Sequence, residues 1–485
     1  MSEISNLNPK AVWQYFDEIC AIPHPSHKEG KLSKHLQEFG KKLGLETLVD
    51  EYGNVLIRKP ASAGCEKCES LLFQSHIDMV CEKNSDVAFD FDNDGIQPYI
   101  DGEWVKAKGT TLGADDGIGV AYQMAILADN SFKHGPIECL FTVDEEVGLL
   151  GAHVLKSDWI KSTMLVNLDS EDQGEFCIGC AGGVNTVAKY NQSLQSPAKD
   201  YLFMQIKVGG LIGGHSGVDI DKNRGNAIKI LAELINRISA EGDVVIASID
   251  GGNLHNAIPR EASATIGVEY KIKETARVIT NVFIAEKQSE LSSDEKLDIE
   301  LSTTDKAESV FAPVVSKSLI KGLLACPHGV LKMSEDIPGL VETSTNLASV
   351  KMIGNEIVIE TSQRSSVSAE KENIRKMVYD AFASNGASSV ESDEGYPGWK
   401  PNVNSKIKNI AVDTYKKLFN VTPNVGAIHA GLECGLIIEK YPELDMISIG
   451  PTIIGNHSPA EKVSIPTVEM TWKHVLAIID TVCNS

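Results

Sequence analysis

"LLFQSHIDMV", residues 71–80, decides how the rest of the chain is read. The run begins with unbroken apolar residues rather than a polar–apolar alternation, which marks a strand covered on both faces, as in parallel sheets. His76 sits inside the run, and Asp78 stands two positions on, pointing to the same side of an extended chain. A carboxylate so placed can hold one imidazole nitrogen and fix the tautomer that leaves the other free for a metal. Working outward, "IECLFTV" (137–143), "MLVNLD" (164–169) and "ELDMISIG" (443–450) are runs of the same kind. They alternate with helical stretches such as 117–128 and 466–481, the pattern of a largely parallel sheet between helices. Upstream, Asn8-Pro9 starts a helix carrying Val12, Phe16, Ile19 and Cys20 on one face. Leu32, Leu36, Phe39 and Leu43 mark a second helix, stopped by Gly44. "TLVDEYGNVLIRK" (47–59) reads as a hairpin around Gly53 and Asn54.

Between residues 184 and 398 the texture changes. "YLFMQIKVGG" (201–210), a helix over 225–239, "ASATIGVEYKI" (262–272) and an acidic, Ser-rich segment (285–309) alternate without the long apolar runs. A chain of 485 residues exceeds one ordinary core, so two domains are expected. The boundaries are drawn at 1–183 with 399–485 for an α/β domain of three layers, α/β/α, and at 184–398 for an inserted α+β domain. "DEGYPGWKP" (393–401) serves as the return hinge.

Bulk properties exclude several classes of function. With 45 basic against 67 acidic residues the formal charge is -22, which repels phosphate backbones, so nucleic acid is not an expected partner. No run of about 18 apolar residues and no basic, apolar leader stands out, so the expectation is a cytoplasmic protein without a membrane partner. Among ten cysteines, Cys65 with Cys68 and Cys177 with Cys180 each form a C-x-x-C. The two pairs lie too far apart for an ordinary zinc ribbon, and reduced thiols are the simpler reading.

Polar residues gather at the ends of the first domain's apolar runs: His76 and Asp78, Asp115 and Asp116 in "TLGADDGIG", Glu145 and Glu146 in "VDEEVG", Asp169 in "NLDSED", and His457 in "IGNHSPAE". Singly, an acid after a strand is a helix cap or turn former, and a loop histidine is a surface residue. In an open parallel sheet, however, the strand carboxyl ends converge on one crevice. Imidazoles and carboxylates without a thiolate then form a set suited to Zn²⁺, Mn²⁺ or Co²⁺.

The order H-x-D, G-x-D-D, E-E, D and a distant H resembles that of the di-zinc peptidases of the M20 type, which include dipeptidases, aminotripeptidases and deacylases. The resemblance spans nearly the whole chain and sharpens in "IPHPS", "GCAGG", "GGHSG", "NAIPRE", "HAGLECG" and "SIGPTIIGNHSP". By motif position it implies two divalent metal ions bridged by Asp115, with His76 and Asp169 completing one site and Glu146 and His457 the other. It further implies Asp78 behind His76, Glu145 as general base and His215 as oxyanion donor. Asn256, Arg364 and Glu433 become candidate substrate contacts, with Arg260 as a rival to Arg364 and Gly431 near the same crevice. Members with Asp at the position of Asp169 act on free amino termini. The implied activity is therefore hydrolysis of unblocked dipeptides, including Xaa-His, with an N-acyl amino acid deacylase or a silent binding protein as alternatives. The resemblance also implies a homodimer formed through the inserted lid domain, and a cis peptide between Asp115 and Asp116. Asp116 departs from the family pattern, which often has Asn there.

Overall fold

The strand Leu71–His76 lies near the middle of an eight-stranded sheet and is buried at every position, as is its neighbour Ile137–Thr142. A computed structural model describes residues 2–191, 194–198, 200–335 and 337–484. Strand order in this sheet is Glu46–Val49, Val55–Lys59, Ile137–Thr142, Leu71–His76, Met164–Asn167, Asp445–Ser448, Glu175–Cys180 and Asn424–Ile428. Leu71–His76 runs parallel to Ile137–Thr142 and to Met164–Asn167, which in turn runs parallel to Asp445–Ser448. The pairings of Glu46–Val49 with Val55–Lys59 and of Val55–Lys59 with Ile137–Thr142 are antiparallel, as is that of Asp445–Ser448 with Glu175–Cys180. The sheet is thus mixed, with a parallel centre. Register sets His76 opposite Thr142 and Gln74 opposite Asn167, so the parallel strands end together.

Helices cover both faces of this centre, which is why its strands are apolar throughout. Lys10–Cys20 buries Val12, Trp13, Phe16 and Ile19. Gly30–Lys42 buries Leu32 and Leu36, but Leu43 lies just past its end and is exposed, because Gly44, at φ 72°, turns the chain away there. Ala114–Ala128 is buried all round, packing against Lys10–Cys20 and Leu71–His76. Ile465–Cys483 packs on Lys406–Phe419.

Two compact units emerge from the contacts within the chain. The first is Met1–Cys180, Trp399–Ala427 and Leu432–Ser485; the second is Ala181–Gly398 with Ile428–Gly431. The short return at Ile428–Gly431 has no compositional sign in the sequence. It places Gly431, expected in the first domain, in the second, against the Tyr396 ring.

The second unit is built on an antiparallel sheet in the order Asp298–Thr303, Tyr201–Gly209, Ala262–Glu269, Val244–Gly251, Val341–Ile353, Glu356–Ser365, Gly182–Asn191 and Ser389–Ser392. Its core joins Ile206, Ile266, Val350 and Ile359 of the sheet to Leu231, Leu234 and Ile235 of the helix Ala227–Ser239. Asn226 caps that helix, its side-chain oxygen accepting from the backbone N–H groups of Ile228 (3.0 Å) and Lys229 (3.1 Å). The acidic, Ser-rich segment is not one loop: it spans the end of the helix Lys273–Glu290 and the edge strand Asp298–Thr303.

Candidate metal centre

His76 ends its strand with its ring buried. Nδ1 lies 3.1 Å from the carbonyl oxygen of Asp78 and 3.4 Å from its Oδ1. Nε2 faces Asp115 Oδ1 at 3.1 Å and Asp169 Oδ1 at 3.3 Å. The other oxygen of Asp115 is 3.4 Å from Nε2 of His457, whose same nitrogen is 2.9 Å from Glu146 Oε1. Two groups of donors therefore share Asp115: His76, Asp115 and Asp169, then Asp115, Glu146 and His457. Within each, the ligand atoms lie within 4.8 Å of one another.

Local structure explains these positions. After the strand Ile137–Thr142, Asp144 takes a left-handed conformation at φ 51°. The chain then turns so that the backbone N–H groups of Glu145 and Glu146 donate to Asp78 Oδ1 (2.9 Å) and Oδ2 (3.2 Å). Ser26 donates a third bond to the same carboxylate at 2.8 Å. Asp78 thus fixes the imidazole on one side and the paired glutamates on the other. Among the described residues the Glu145 carboxylate accepts no hydrogen bond, whereas that of Glu146 faces His457.

Asp115 sits at the start of Ala114–Ala128, where Asp115 and Asp116 leave helical geometry and the peptide between them is cis. The loop before it is clamped by Glu461. One oxygen accepts from the N–H groups of Leu112 (2.6 Å) and Gly113 (3.0 Å), the other from Ala114 (2.8 Å). Asn456 adds a bond to Asp115 Oδ2 at 3.4 Å. Neither residue was assigned from sequence, although both flank His457 and the short interval "NHSPAE" could have flagged them.

The charges test whether cations fit. Burial works against protonation of His76, yet the carboxylates of Asp169, Asp115 and Asp78 outweigh it and hold its pKa well above the ordinary value. Hydrogen bonds to Asp115 and Glu146 carry His457 up to about 11. Burial, with Asp115 adding to it, pushes Asp169 up to about 7. Glu145 is raised well above the carboxylate range by burial, then by Asp169, Glu146 and Glu433 against the pull of His76. Without cations, so many buried carboxylates are accommodated only by binding protons. An oxygen- and imidazole-rich set with that demand for positive charge, and no thiolate, suits Zn²⁺, Mn²⁺ or Co²⁺.

Asp116 is buried as well. One oxygen accepts from Gly119 N–H at 3.2 Å and the other has no partner, while burial and Asp169 hold its pKa well above normal. A protonated carboxyl there presents one donor and one acceptor, as the family's Asn does. Glu433, expected at the substrate's amino group, is fully enclosed: Oε2 accepts from Gln74 Nε2 (2.5 Å) and Thr142 Oγ1 (2.7 Å). Burial pushes it up to about 7, and its Oε1 is buried without a hydrogen-bond partner among the described residues.

In the second unit, His215 lies on the two-residue strand Gly214–His215, paired with Ala257–Ile258 beside the half-buried Asn256. Its Nδ1 accepts from the N–H groups of Gly217 (3.2 Å) and Val218 (3.4 Å). That leaves the proton on Nε2 in the neutral ring, and burial, then Arg364, lowers the pKa further from the charged state. Arg364 is buried, donates to the Tyr396 hydroxyl at 3.3 Å, and leaves Nε without a partner. Burial and the same guanidinium hold His429 down to about 3, with its Nε2 against Ser344 Oγ at 2.7 Å. His429 was not singled out from sequence. Arg260, the rival arginine, is exposed 3.9 Å from Glu261.

No disulfide joins any of the ten cysteines. The two C-x-x-C pairs do not form one site: Cys65 and Cys68 meet Cys483, while Cys177 and Cys180 lie near Cys434.

Comparison with known proteins agrees with this architecture. Residues 206–294 match the model of the M20 peptidase dimerisation domain. The chain is 42% identical to the cytosol non-specific dipeptidase of Escherichia coli over 473 residues, which is 97% of each chain. It superposes on the crystal structure of aminoacylhistidine dipeptidase from Vibrio alginolyticus with a TM-score of 0.93 at 41% identity, covering 99% of this chain and 98% of that one. A tripeptidase from Staphylococcus aureus shares the fold at 18% identity, with a TM-score of 0.58 over 99% of this chain and 100% of its own. The chain belongs to the M20 peptidase family.

Proposed function

We propose that this chain hydrolyses the peptide bond of unblocked dipeptides, including Xaa-His, at a centre of two divalent cations. The observation that carries this reading is the sharing of Asp115 between two donor groups, with Glu145 beside His76 and Glu146 and accepting no hydrogen bond among the described residues. The Escherichia coli and Vibrio relatives, a non-specific dipeptidase and an aminoacylhistidine dipeptidase, support the substrate class. His76, Asp115 and Asp169 would hold one cation and Asp115, Glu146 and His457 the other; Zn²⁺ suits the set best, with Mn²⁺ or Co²⁺ as substitutes. When bound, such cations would supply Lewis acidity towards the scissile carbonyl and would acidify water.

The chain's own residues do the rest. Glu145 takes the proton of the attacking water and delivers it to the leaving amine, a role that needs a carboxylate with no competing partner. Asp78 positions His76 and the Glu145–Glu146 turn together. His215 donates its Nε2 proton to the developing oxyanion, for which a neutral, tautomer-fixed ring is suited. Arg364, a buried guanidinium without a carboxylate partner among the described residues, pairs with the carboxylate of the substrate beside Asn256. The second unit serves as a lid and as the surface for homodimer formation, a reading supported by the family match over 206–294 and by Val278 and Val282, exposed one turn apart on Lys273–Glu290. The cytosolic relative supports the same compartment for this chain.

The test is hydrolysis of Ala-His and β-Ala-His after chelation and again after return of Zn²⁺, Mn²⁺ or Co²⁺, with Glu145→Ala alongside. Cleavage restored by metal and absent from the variant is expected. Cleavage of N-acetyl amino acids with free dipeptides untouched would instead identify a deacylase.

A further inference from the structure

At the opposite end of the central strand from His76, three thiols meet. Cys65 and Cys68 lie in the loop before Leu71–His76, and Cys483 is the last residue of the helix Ile465–Cys483. With a rise of about 3.3 Å per residue, the strand alone separates them from the carboxylate–histidine centre by roughly 17 Å. The three sulfurs lie within 4.8 Å of one another, and Cys68 Sγ is 3.6 Å from Cys483 Sγ and 3.0 Å from the Cys483 carbonyl oxygen. Successive turns, Cys65 N–H to Ser62 O (2.9 Å) and Cys68 N–H to Cys65 O (3.1 Å), turn both loop thiols towards the helix end. Thiolates sharing one ion at a Zn–S distance of about 2.3 Å stand about 3.8 Å apart, so the observed spacing is close to that of a ligand set.

We propose that Cys65, Cys68 and Cys483 form a three-thiolate site for a thiophilic divalent cation of the Zn²⁺ class, distinct from the hydrolytic centre. Binding breaks three S–H bonds, releases three protons to solvent and forms three metal–sulfur bonds, leaving a complex of net charge −1. A monovalent ion would leave −2 beside the carbonyl end of a helix, where negative charge is disfavoured, so the divalent class is preferred. Cys65 and Cys483 are buried, while Cys68 is half-buried and gives an ion and one water access to the site. Burial and the neighbouring Cys65 and Cys68 thiols push Cys483 up to about 12. Once filled, the site ties the loop that feeds the central strand to the end of the last helix.

Cd²⁺ titration of the reduced, full-length protein tests this, because thiolate-to-metal charge-transfer absorption in the ultraviolet reports sulfur ligands and is not produced by carboxylates or imidazoles. The expected result is a band that saturates at one Cd²⁺ per chain, is reversed by excess Zn²⁺, and is lost in C65S/C68S/C483S with Ala-His hydrolysis unchanged. Should the triple variant not fold, C68S alone, at the half-buried position, should weaken Cd²⁺ binding and leave a smaller band from the two remaining thiolates. A band of wild-type intensity in the variant, which would point to Cys177, Cys180 and Cys434, overturns the proposal. So does the absence of any band in wild-type protein whose thiols are titrated as reduced.

Discussion

Glu145 and Glu146 are adjacent and chemically alike, yet their surroundings give them different work. Both backbone N–H groups are held by Asp78, and only Glu146 reaches His457. Glu145→Gln is expected to lower kcat by about 10²- to 10⁴-fold, the usual contribution of a general base, with metal content by elemental analysis unchanged. Glu146→Gln is expected to lower metal content as well, which separates the two roles. Asp116 has one oxygen unpartnered, and burial and Asp169 raise its pKa. Asp116→Asn should therefore leave dipeptide hydrolysis within a few-fold and thermal stability unchanged or slightly higher, because the cost of a buried ionisable group is removed.

At the scale of elements, the loop preceding Ala114–Ala128 is held by a carboxylate from a segment far along the chain. Glu461 accepts from the backbone N–H groups of Leu112, Gly113 and Ala114 and is pushed up to about 7, chiefly by burial. Glu461→Ala leaves those donors buried without an acceptor and is expected to cost about 3 kcal/mol, with weaker metal binding because Asp115 loses its anchor; denaturant unfolding and metal titration check both. The helix itself allows little room. A Cβ on Gly119 would stand 2.3 Å from Asp116 Oδ1 and 2.4 Å from Ser75 Oγ, so Gly119→Ala should destabilise by about 1–3 kcal/mol. Element type was legible wherever periodicity was strong: the helix over Val12, Phe16 and Ile19, the hairpin at Gly53, and the parallel strands. It was missed at Asp298–Thr303, where the short Ile299–Leu301 alternation is embedded in an acidic, serine-rich segment and which pairs with Tyr201–Gly209. The same holds for Leu43, where the helical spacing continues but the helix does not.

For the whole molecule, the buried carboxyls make stability without metal depend on pH. Asp169, Glu433 and Glu461 sit at about 7 and Glu171 at about 8, each raised first by burial. A carboxyl whose folded-state pKa exceeds its unfolded value holds more protons folded, so its stabilising contribution is lost as pH rises through the folded value. His76 and His457, also raised, act with the same sign above the ordinary histidine value of about 6.5. His429 and His474, lowered to about 3 and about 4, oppose this only below that value. The thermal midpoint of chelator-treated protein is therefore expected to fall as pH rises from about 6.5, and added Zn²⁺ should flatten the slope by replacing protons. Assembly offers a separate check. Val278→Glu with Val282→Glu places charge on the exposed helix face and should yield monomers by light scattering, with the thermal midpoint of the chain little changed.

The sequence alone determined the class of fold, because continuous apolar strands alternating with amphipathic helices have few other solutions. It also offered the acids and histidines at strand ends as candidate donors, with the ligand set among them implied by the family resemblance. Tertiary structure decided which of them meet. Only the parallel register brings His76, the Glu145–Glu146 turn, Asp169 and the distant His457 loop to one edge, so that Asp115 can face two histidines with its two oxygens. It also decided that Glu433 is enclosed, that Arg364 is a buried cation without a carboxylate partner among the described residues, and that Cys483 meets a C-x-x-C more than four hundred residues away. Such pairings depend on distance through space, which the order of residues along a chain does not carry.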